Sequence, residues 1–365
     1  MPVANIRYSR TTKRAAFIGA AAAVLFFFTL STGVGEHHFY SLLPAEERTL
    51  HALEACVREF GRSIEGRRCY HDTLLSAAKA DSLVAATGAY VRMVQRNGAT
   101  GLMHFIAHEL GDVVFGSVGG TIEQALAACP SVAHTGCQHG AVGAYLLSQG
   151  DASVSVDYAA LPALCRETSE TKGAYRLCMH GLGHAFFLIT KGGLHESLEL
   201  CEALPVGARE KSECLTGVFM ESNGGLHYLP DAAARAAAAA DRLYPCRSGE
   251  FDEQSRRACY LMLPSKSGWT PERGFRACRE APHEWRETCA HGVGIGVGAR
   301  WPADARRVVT ECLRGEELAE QCLRGALGYI AVGESAESRS EAVCTLLQDR
   351  GKYRACGSAE TSALP

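Results

Sequence analysis

Histidines recur in one sequence context, and two of them are followed by a second histidine four residues later. His104 pairs in this way with His108, and His180 pairs with His184. Residues four apart lie on the same face of a helix, so each pair can present two imidazoles to one ion. Imidazole suits zinc, iron and copper, and geometry rather than composition decides among them. The spacing therefore predicts a site for a divalent transition metal, with no other cofactor indicated.

The predicted ligands are the two pairs and His139, which stands two residues after a cysteine, as His180 does. Equivalent helices of stacked units lie about 10 Å apart, so His104 and His180 should share an ion only if the stack curves strongly. The expected sites are His104 and His108 with His139, or His180 and His184 with His139 or His195. Glu109, Glu221 and His291 are further candidates. The competing interpretation is structural, with each histidine bonded to a carbonyl of the adjacent unit.

The segment around His108 also resembles part of the H-E-x-x-H helix of zinc proteases. Glu109 follows His108 directly, and Asp112 occupies the position of the second histidine ligand. An aspartate can bind zinc, but this change removes the feature that makes the motif specific. A metallopeptidase is therefore a minor alternative.

Sixteen cysteines fall into eight close pairs, whose members are 8 to 13 residues apart. The pairs are Cys56/Cys69, Cys129/Cys137, Cys165/Cys178, Cys201/Cys214, Cys246/Cys259, Cys278/Cys289, Cys312/Cys322 and Cys344/Cys356. Sequence alone does not select one pairing, but short loops favour a disulfide within each pair. Metal-thiolate sites are the alternative, although the two close C-x-x-C knuckles of zinc sites are absent from the sequence.

The cysteine pairs mark a repeat. From Cys129 onward, the first cysteines of successive pairs are separated by 36, 36, 45, 32, 34 and 32 residues, which is typical of arrays of helical units. The step from Cys56 to Cys129 is 73 residues, and a unit without cysteines lies within it, since residues 103–108 align with 179–184. The sequence thus predicts an all-α solenoid of about nine helical hairpins over residues 46–360, each except the second joined by a local disulfide.

In repeat length, hairpin pattern and paired cysteines, residues 46–360 resemble tetratricopeptide-like proteins, especially their cysteine-rich secreted branch. The resemblance implies a disulfide between the two helices of each repeat and a concave surface that binds a protein or peptide partner. The His-Gly element after the second cysteine departs from that branch. The resemblance therefore applies to the fold and not to the function.

The N-terminus carries a membrane signal. Residues 15–35 form a run of twenty-one uncharged positions, about the length that spans a bilayer. The basic segment 1–14 precedes it, so the positive-inside rule places this end in the cytoplasm and the body in the periplasm or extracellular space. The run is predicted to be a single-pass signal anchor, or alternatively a cleaved signal peptide of a secreted protein. Residues 36–45 then form a linker and residues 361–365 a tail.

Composition limits the remaining functions. A formal net charge of -3 offers no broad basic field, so nucleic acid is not an expected partner. The sequence favours a membrane-anchored, extracytoplasmic repeat protein that binds a transition metal through its histidines. A metalloenzyme is the more specific form of this hypothesis. The alternative from another class is an interaction scaffold with structural histidines. Anion binding at the helix N-termini is a third hypothesis.

Overall fold

The computed structural model describes residues 43–348, apart from 99, 120, 131, 133–135, 150–156, 168–171, 225–231, 248–249, 266–268 and 332–335. This part of the chain is helical and contains no strand, which confirms the all-α prediction. The predicted basic segment 1–14, the membrane anchor 15–35 and the tail 361–365 lie outside the described residues. None of the described helices combines the length and apolarity needed to cross a bilayer.

The helices alternate as the first and second members of hairpins. The first members are α1 (Ala45–Phe60), α3 (Leu83–Asn97), α5 (Ile122–Ala128), α7 (Leu161–Glu167), α9 (Leu194–Glu202), α11 (Ala232–Ala240), α13 (Pro271–Glu280), α15 (Ala305–Leu313) and α17 (Ala336–Gln348). The second members are α2 (Ile64–Ala80), α4 (Gly101–Ser117), α6 (Gly136–Gln149), α8 (Lys172–Ile189), α10 (Ala208–Gly224), α12 (Glu253–Met262), α14 (Arg286–Arg300) and α16 (Ala319–Ile330). Eight hairpins and the first helix of a ninth are therefore described.

Seven of the eight predicted disulfides are formed. They join Cys56 to Cys69, Cys129 to Cys137, Cys165 to Cys178, Cys201 to Cys214, Cys246 to Cys259, Cys278 to Cys289 and Cys312 to Cys322. Each connects a cysteine within or after a first helix to the second helix of the same hairpin. Cys356, from the predicted pair with Cys344, lies outside the described residues. This number of disulfides indicates an oxidising compartment.

The second helices form one continuous layer. Each of them, from α2 to α16, packs on the next second helix along the chain. Helix α14 also contacts α4, five hairpins earlier, so the layer curves back on itself. Strong curvature is the condition under which histidines of non-adjacent units can meet.

Helix α4 shows why the layer is compact. The Thr100 side chain accepts a hydrogen bond from the Met103 backbone N–H and so caps its first turn. The helix contacts α2, α6 and α14, and buries residues on most of its circumference, from Met103 to Phe115. A helix that is apolar nearly all round belongs in a protein interior, and its two histidines are carried there with it.

Glycines let neighbouring second helices approach until their backbones touch. A Cβ atom at Gly140 of α6 would overlap the carbonyl group of His108 in α4, and a Cβ atom at Gly111 would overlap that of Cys137. The reciprocal arrangement recurs between α8 and α10, where Gly217 faces the carbonyl of His180. Any larger residue would push the histidine-bearing helices apart.

We predict that Gly140→Ala lowers the free energy of unfolding by about 2 kcal/mol, within the range for overpacked cores. Gly116→Ala is the matched control, because a Cβ atom there meets nothing within 4 Å. An alanine in an exposed part of a helix should stabilise the protein by about 0.5 kcal/mol or more. Urea unfolding measures both values, and equal values for the two variants would contradict the close-packing account.

Candidate metal centre

Five histidines from three successive second helices converge. His104 and His108 come from α4, His139 from α6, and His180 and His184 from α8. One ligand atom each from His104, His108, His139 and His184 lies within 4.8 Å of the other three, a spacing that can hold a metal ion. The Nε2 atom of His180 lies 3.1 Å from that of His184, so the fifth histidine extends the same cluster.

The two histidine pairs are closer together than sequence spacing predicts. The ring centroids of His108 and His184 are 4.9 Å apart, although their helices are separated in sequence by α6. The helices achieve this at glycines: beside Gly140, α6 reaches the backbone of α4, and a Cβ atom at Gly181 of α8 would lie only 2.6 Å from the ring of His139. The cluster thus contains the expected set His104, His108 and His139 and adds His184 from the other pair.

The nitrogen spacings match those of metal ligands. Within each pair the two Nε2 atoms are 3.1 Å apart. A tetrahedral zinc ion with Zn–N bonds of about 2.0–2.1 Å sets its ligand nitrogens about 3.3 Å apart. All four ligand atoms of the cluster lie within 4.8 Å of one another.

Burial favours the neutral form of two imidazoles of the cluster, those of His139 and His180. His108, His139 and His184 are buried, whereas His104 and His180 keep part of their surface exposed to solvent. Burial lowers the pKa of His139 well below its ordinary value, and positive charge on the neighbouring histidines lowers it further. The pKa of His180 is lowered for the same two reasons. A neutral imidazole keeps a nitrogen lone pair available for a metal.

Glu221 of α10 determines which nitrogen of His184 faces the cluster. Its Oε2 atom accepts a hydrogen bond from Nδ1 of His184 at 2.8 Å. Because a carboxylate only accepts, Nδ1 carries a proton, and in the neutral form of the ring the lone pair is on Nε2, which lies 3.1 Å from Nε2 of His180. This is the carboxylate–histidine arrangement that commonly orients metal ligands.

Thr216 fixes His180 in the same tautomer. Its hydroxyl group donates to the carbonyl oxygen of Glu213 at 2.7 Å, so its oxygen acts as the acceptor for Nδ1 of His180 at 2.9 Å. A backbone hydrogen bond between His180 and Glu213 also requires the ring to donate. His180, like His184, is thus left with its lone pair on Nε2.

Glu109 and Asp112 do not complete a protease-like site. The Oε1 atom of Glu109 accepts a hydrogen bond from Nε of Arg67 at 2.7 Å. Asp112 is exposed, and its carboxylate lies 3.3 Å from Nε2 of His71. Arg67 and His71 both belong to α2. Asp112, which would be the second ligand of an H-E-x-x-H helix, is not among the four residues whose ligand atoms converge.

Two further candidates lie away from the cluster. His195 is exposed, and its Nε2 atom lies 3.1 Å from the carboxylate of Glu250. His291 is buried in α14, where Ile295 stands at the position that a second histidine takes in α4 and α8. Within the described part of the chain, its Nε2 atom has no hydrogen-bond partner. His291 shares the repeat position but not the neighbours that a ligand needs.

Sequence reasoning missed two residues that act on the cluster. Thr216 stands two residues after Cys214, the position of the histidines in other units, so the repeat register could have identified it. Arg62 follows α1, lies 5.8 Å from the ring centroid of Phe105, and attracts Glu221 electrostatically. No spacing in the sequence connects Arg62 to Glu221, since only the curvature of the layer brings them together.

The buried His291 should make stability depend on pH. Burial first, and then the positive charges of Arg324 and Arg257, lower its pKa from 6.5 to about 4. Between these pH values the unfolded chain binds a proton that the folded protein does not, so folding stability falls as the pH falls from 6.5 to 4. The difference corresponds to about 3 kcal/mol at most.

We predict that, as the pH is lowered from 6.5 to 4, the free energy of unfolding falls less for His291→Leu than for the unmodified protein. Urea unfolding at each pH measures both values. Val84→Leu serves as the control, because Val84 is exposed and carries no titratable group. Parallel stability curves for the unmodified protein and His291→Leu would show that His291 is not held neutral by burial.

Three comparisons with known proteins found no match: no protein family, no curated protein and no solved structure is similar to this chain at the level required for a relationship. The chemistry of the histidine cluster is therefore the basis for assigning a function.

Proposed function

We propose that this protein binds a divalent transition metal ion through its histidine cluster. The observation that carries the proposal is the pair His180 and His184, whose Nε2 atoms are 3.1 Å apart. Thr216 and Glu221 place both ring protons on the Nδ1 atoms. Two lone pairs therefore face each other without a hydrogen between them, an arrangement that a cation between them stabilises.

A shared proton is the simplest competing cation. It would turn His180 or His184 into an imidazolium ion inside a cluster of five histidines. Burial and the neighbouring histidines lower the pKa of His180, which disfavours this state at neutral pH. A metal ion instead accepts several lone pairs at once and suits neutral ligands.

The ligand chemistry is compatible with zinc, iron or copper. All the converging ligand atoms are imidazole nitrogens, which each of these metals accepts. An enzyme would need a coordination position left open for substrate, and the partial exposure of His104 and His180 provides access from solvent. The more specific version of the proposal is that the protein is a metal-dependent enzyme.

We place this function outside the cytoplasm. Seven disulfides support an oxidising compartment. The uncharged run 15–35 and the preceding basic residues support attachment to the cell membrane by a single helix.

We predict that the purified, oxidised protein binds zinc and that His104→Ala/His108→Ala weakens binding at the position these two histidines ligate at least 100-fold, because two ligands are removed together. Calorimetric titration with zinc of chelator-treated protein measures the affinity. The control variant is His71→Ala/His195→Ala, which removes two histidines outside the cluster and should leave the affinity unchanged.

Failure of the unmodified protein to bind zinc, iron or copper would overturn the proposed function. The histidines would then be structural, and an interaction scaffold would become the better explanation. Capture of a defined partner by the metal-free protein would support that alternative.

A second prediction concerns Glu221. Replacing it with glutamine removes the charge that holds His184 in its ligand tautomer, and should weaken metal binding about 10- to 100-fold. Glu199→Gln is the matched control, because Glu199 is an exposed glutamate on α9 and the variant has the same change in charge. Equal affinities in the same titration would show that the hydrogen bond to His184 does not support a bound metal.

A further inference from the structure

The histidine cluster contains two pairs that also contact each other. Each i, i+4 pair brings its own two Nε2 atoms to 3.1 Å, and the ring centroids of His108 and His184, one from each pair, are 4.9 Å apart. The ring centroid of His139 is 5.2 Å from that of His104 and 5.5 Å from that of His108. It is 5.7 Å from that of His180 and 5.6 Å from that of His184.

One ion at the convergence of His104, His108, His139 and His184 does not account for His180. That residue is outside the set of four whose ligand atoms lie within 4.8 Å of one another. Its lone pair nevertheless faces that of His184 at 3.1 Å, and Thr216 holds it there. Because a metal–nitrogen bond is about 2.0–2.1 Å long, each facing pair of Nε2 atoms defines an ion position of its own.

The internal repeat assigns His139 to one of these positions. His139 stands two residues after Cys137, as Thr216 stands two residues after Cys214. Thr216 supports the pair on α8, which packs directly against α10. By the same relation, His139 of α6 is assigned to the pair on α4, because α6 packs directly against α4. The first pair thus gains a third imidazole, whereas the second pair donates hydrogen bonds to Thr216 and Glu221.

We propose that the cluster is a two-metal centre, in which His104, His108 and His139 hold one ion and His180 and His184 hold the other. The inference rests on the proposed metal binding and extends it. Ions in such centres lie about 3.5–4 Å apart and together clamp an oxygen ligand between them.

The charge of the centre indicates the class of that ligand. Two divalent ions on neutral imidazoles carry four positive charges, and the charge of Glu221, which bonds His184, is partly offset by Arg62. The excess favours a small oxyanion, such as a carboxylate or a phosphate group. Entry is possible at His104 and His180, the two ligands that keep solvent exposure.

Metal stoichiometry tests this inference. The full-length chain, purified in detergent with its disulfides intact and stripped with a chelator, is titrated with zinc, and bound zinc is measured by elemental analysis after desalting. We expect two zinc ions per chain for the unmodified protein. One ion per chain would overturn the two-metal centre but leave the proposed metal binding standing, whereas no bound ion would overturn both.

Paired variants locate the two ions. His104→Ala/His108→Ala and His180→Ala/His184→Ala should each bind one ion, and His71→Ala/His195→Ala should bind two. Loss of both ions in either cluster variant, with helical content and unfolding midpoint unchanged, would show a single site with shared ligands and would overturn the inference.

Copper provides a readout that depends on the distance between the ions. Loaded with two equivalents of Cu²⁺, the unmodified protein should show the electron paramagnetic resonance spectrum of a coupled pair, since ions about 4 Å apart interact magnetically. His180→Ala/His184→Ala should give the spectrum of one isolated ion. An uncoupled spectrum from the fully loaded, unmodified protein would contradict the proposal.

Inorganic phosphate and acetate probe the oxyanion site. Both are titrated separately into the zinc-loaded protein and into His180→Ala/His184→Ala, and heat of binding is measured. At least one of the two anions should bind the unmodified protein ten times more tightly than the variant. Absence of binding by both anions, or equal affinities in the two proteins, would overturn the assignment of an oxyanion ligand.

Discussion

Backbone contact between neighbouring second helices is the constraint on which the site depends. Where α4 meets α6 and α8 meets α10, glycines allow each helix to rest against the carbonyl groups of the next. Disulfides fix the two helices of most hairpins relative to each other, and the layer of second helices curves until α14 reaches α4. Histidines that lie 80 residues apart, such as His104 and His184, thereby share one interior space.

The electrostatics of that space determine its chemistry. Burial disfavours charged imidazoles, while Thr216 and Glu221 direct the lone pairs of His180 and His184 inward. Arg62, which comes from the connection after α1, places positive charge near Glu221. The site is thus built from five hairpins, of which three supply histidines and the outer two supply supporting groups. This division explains why ligands and supporting residues are dispersed along the sequence.

The sequence predicts the helical hairpins, the local disulfides and the histidines, because all three follow from short-range spacing. Sequence spacing does not predict contacts that depend on how distant hairpins are arranged in space. The curvature of the array is not encoded in any one repeat, so the meeting of His108 with His184 and the approach of Arg62 to Glu221 were not expected. Glu109 and Glu221 occupy equivalent repeat positions, yet one pairs with Arg67 and the other with His184, because their neighbours differ.

X-ray absorption spectroscopy of the zinc-loaded protein is the most direct test of the central claim, that imidazoles alone among the protein's side chains bind the metal. The account predicts nitrogen or oxygen scatterers at about 2.0 Å and the multiple-scattering pattern of several imidazole rings per zinc. Sulfur scatterers at about 2.3 Å, or a shell without imidazole rings, would contradict it.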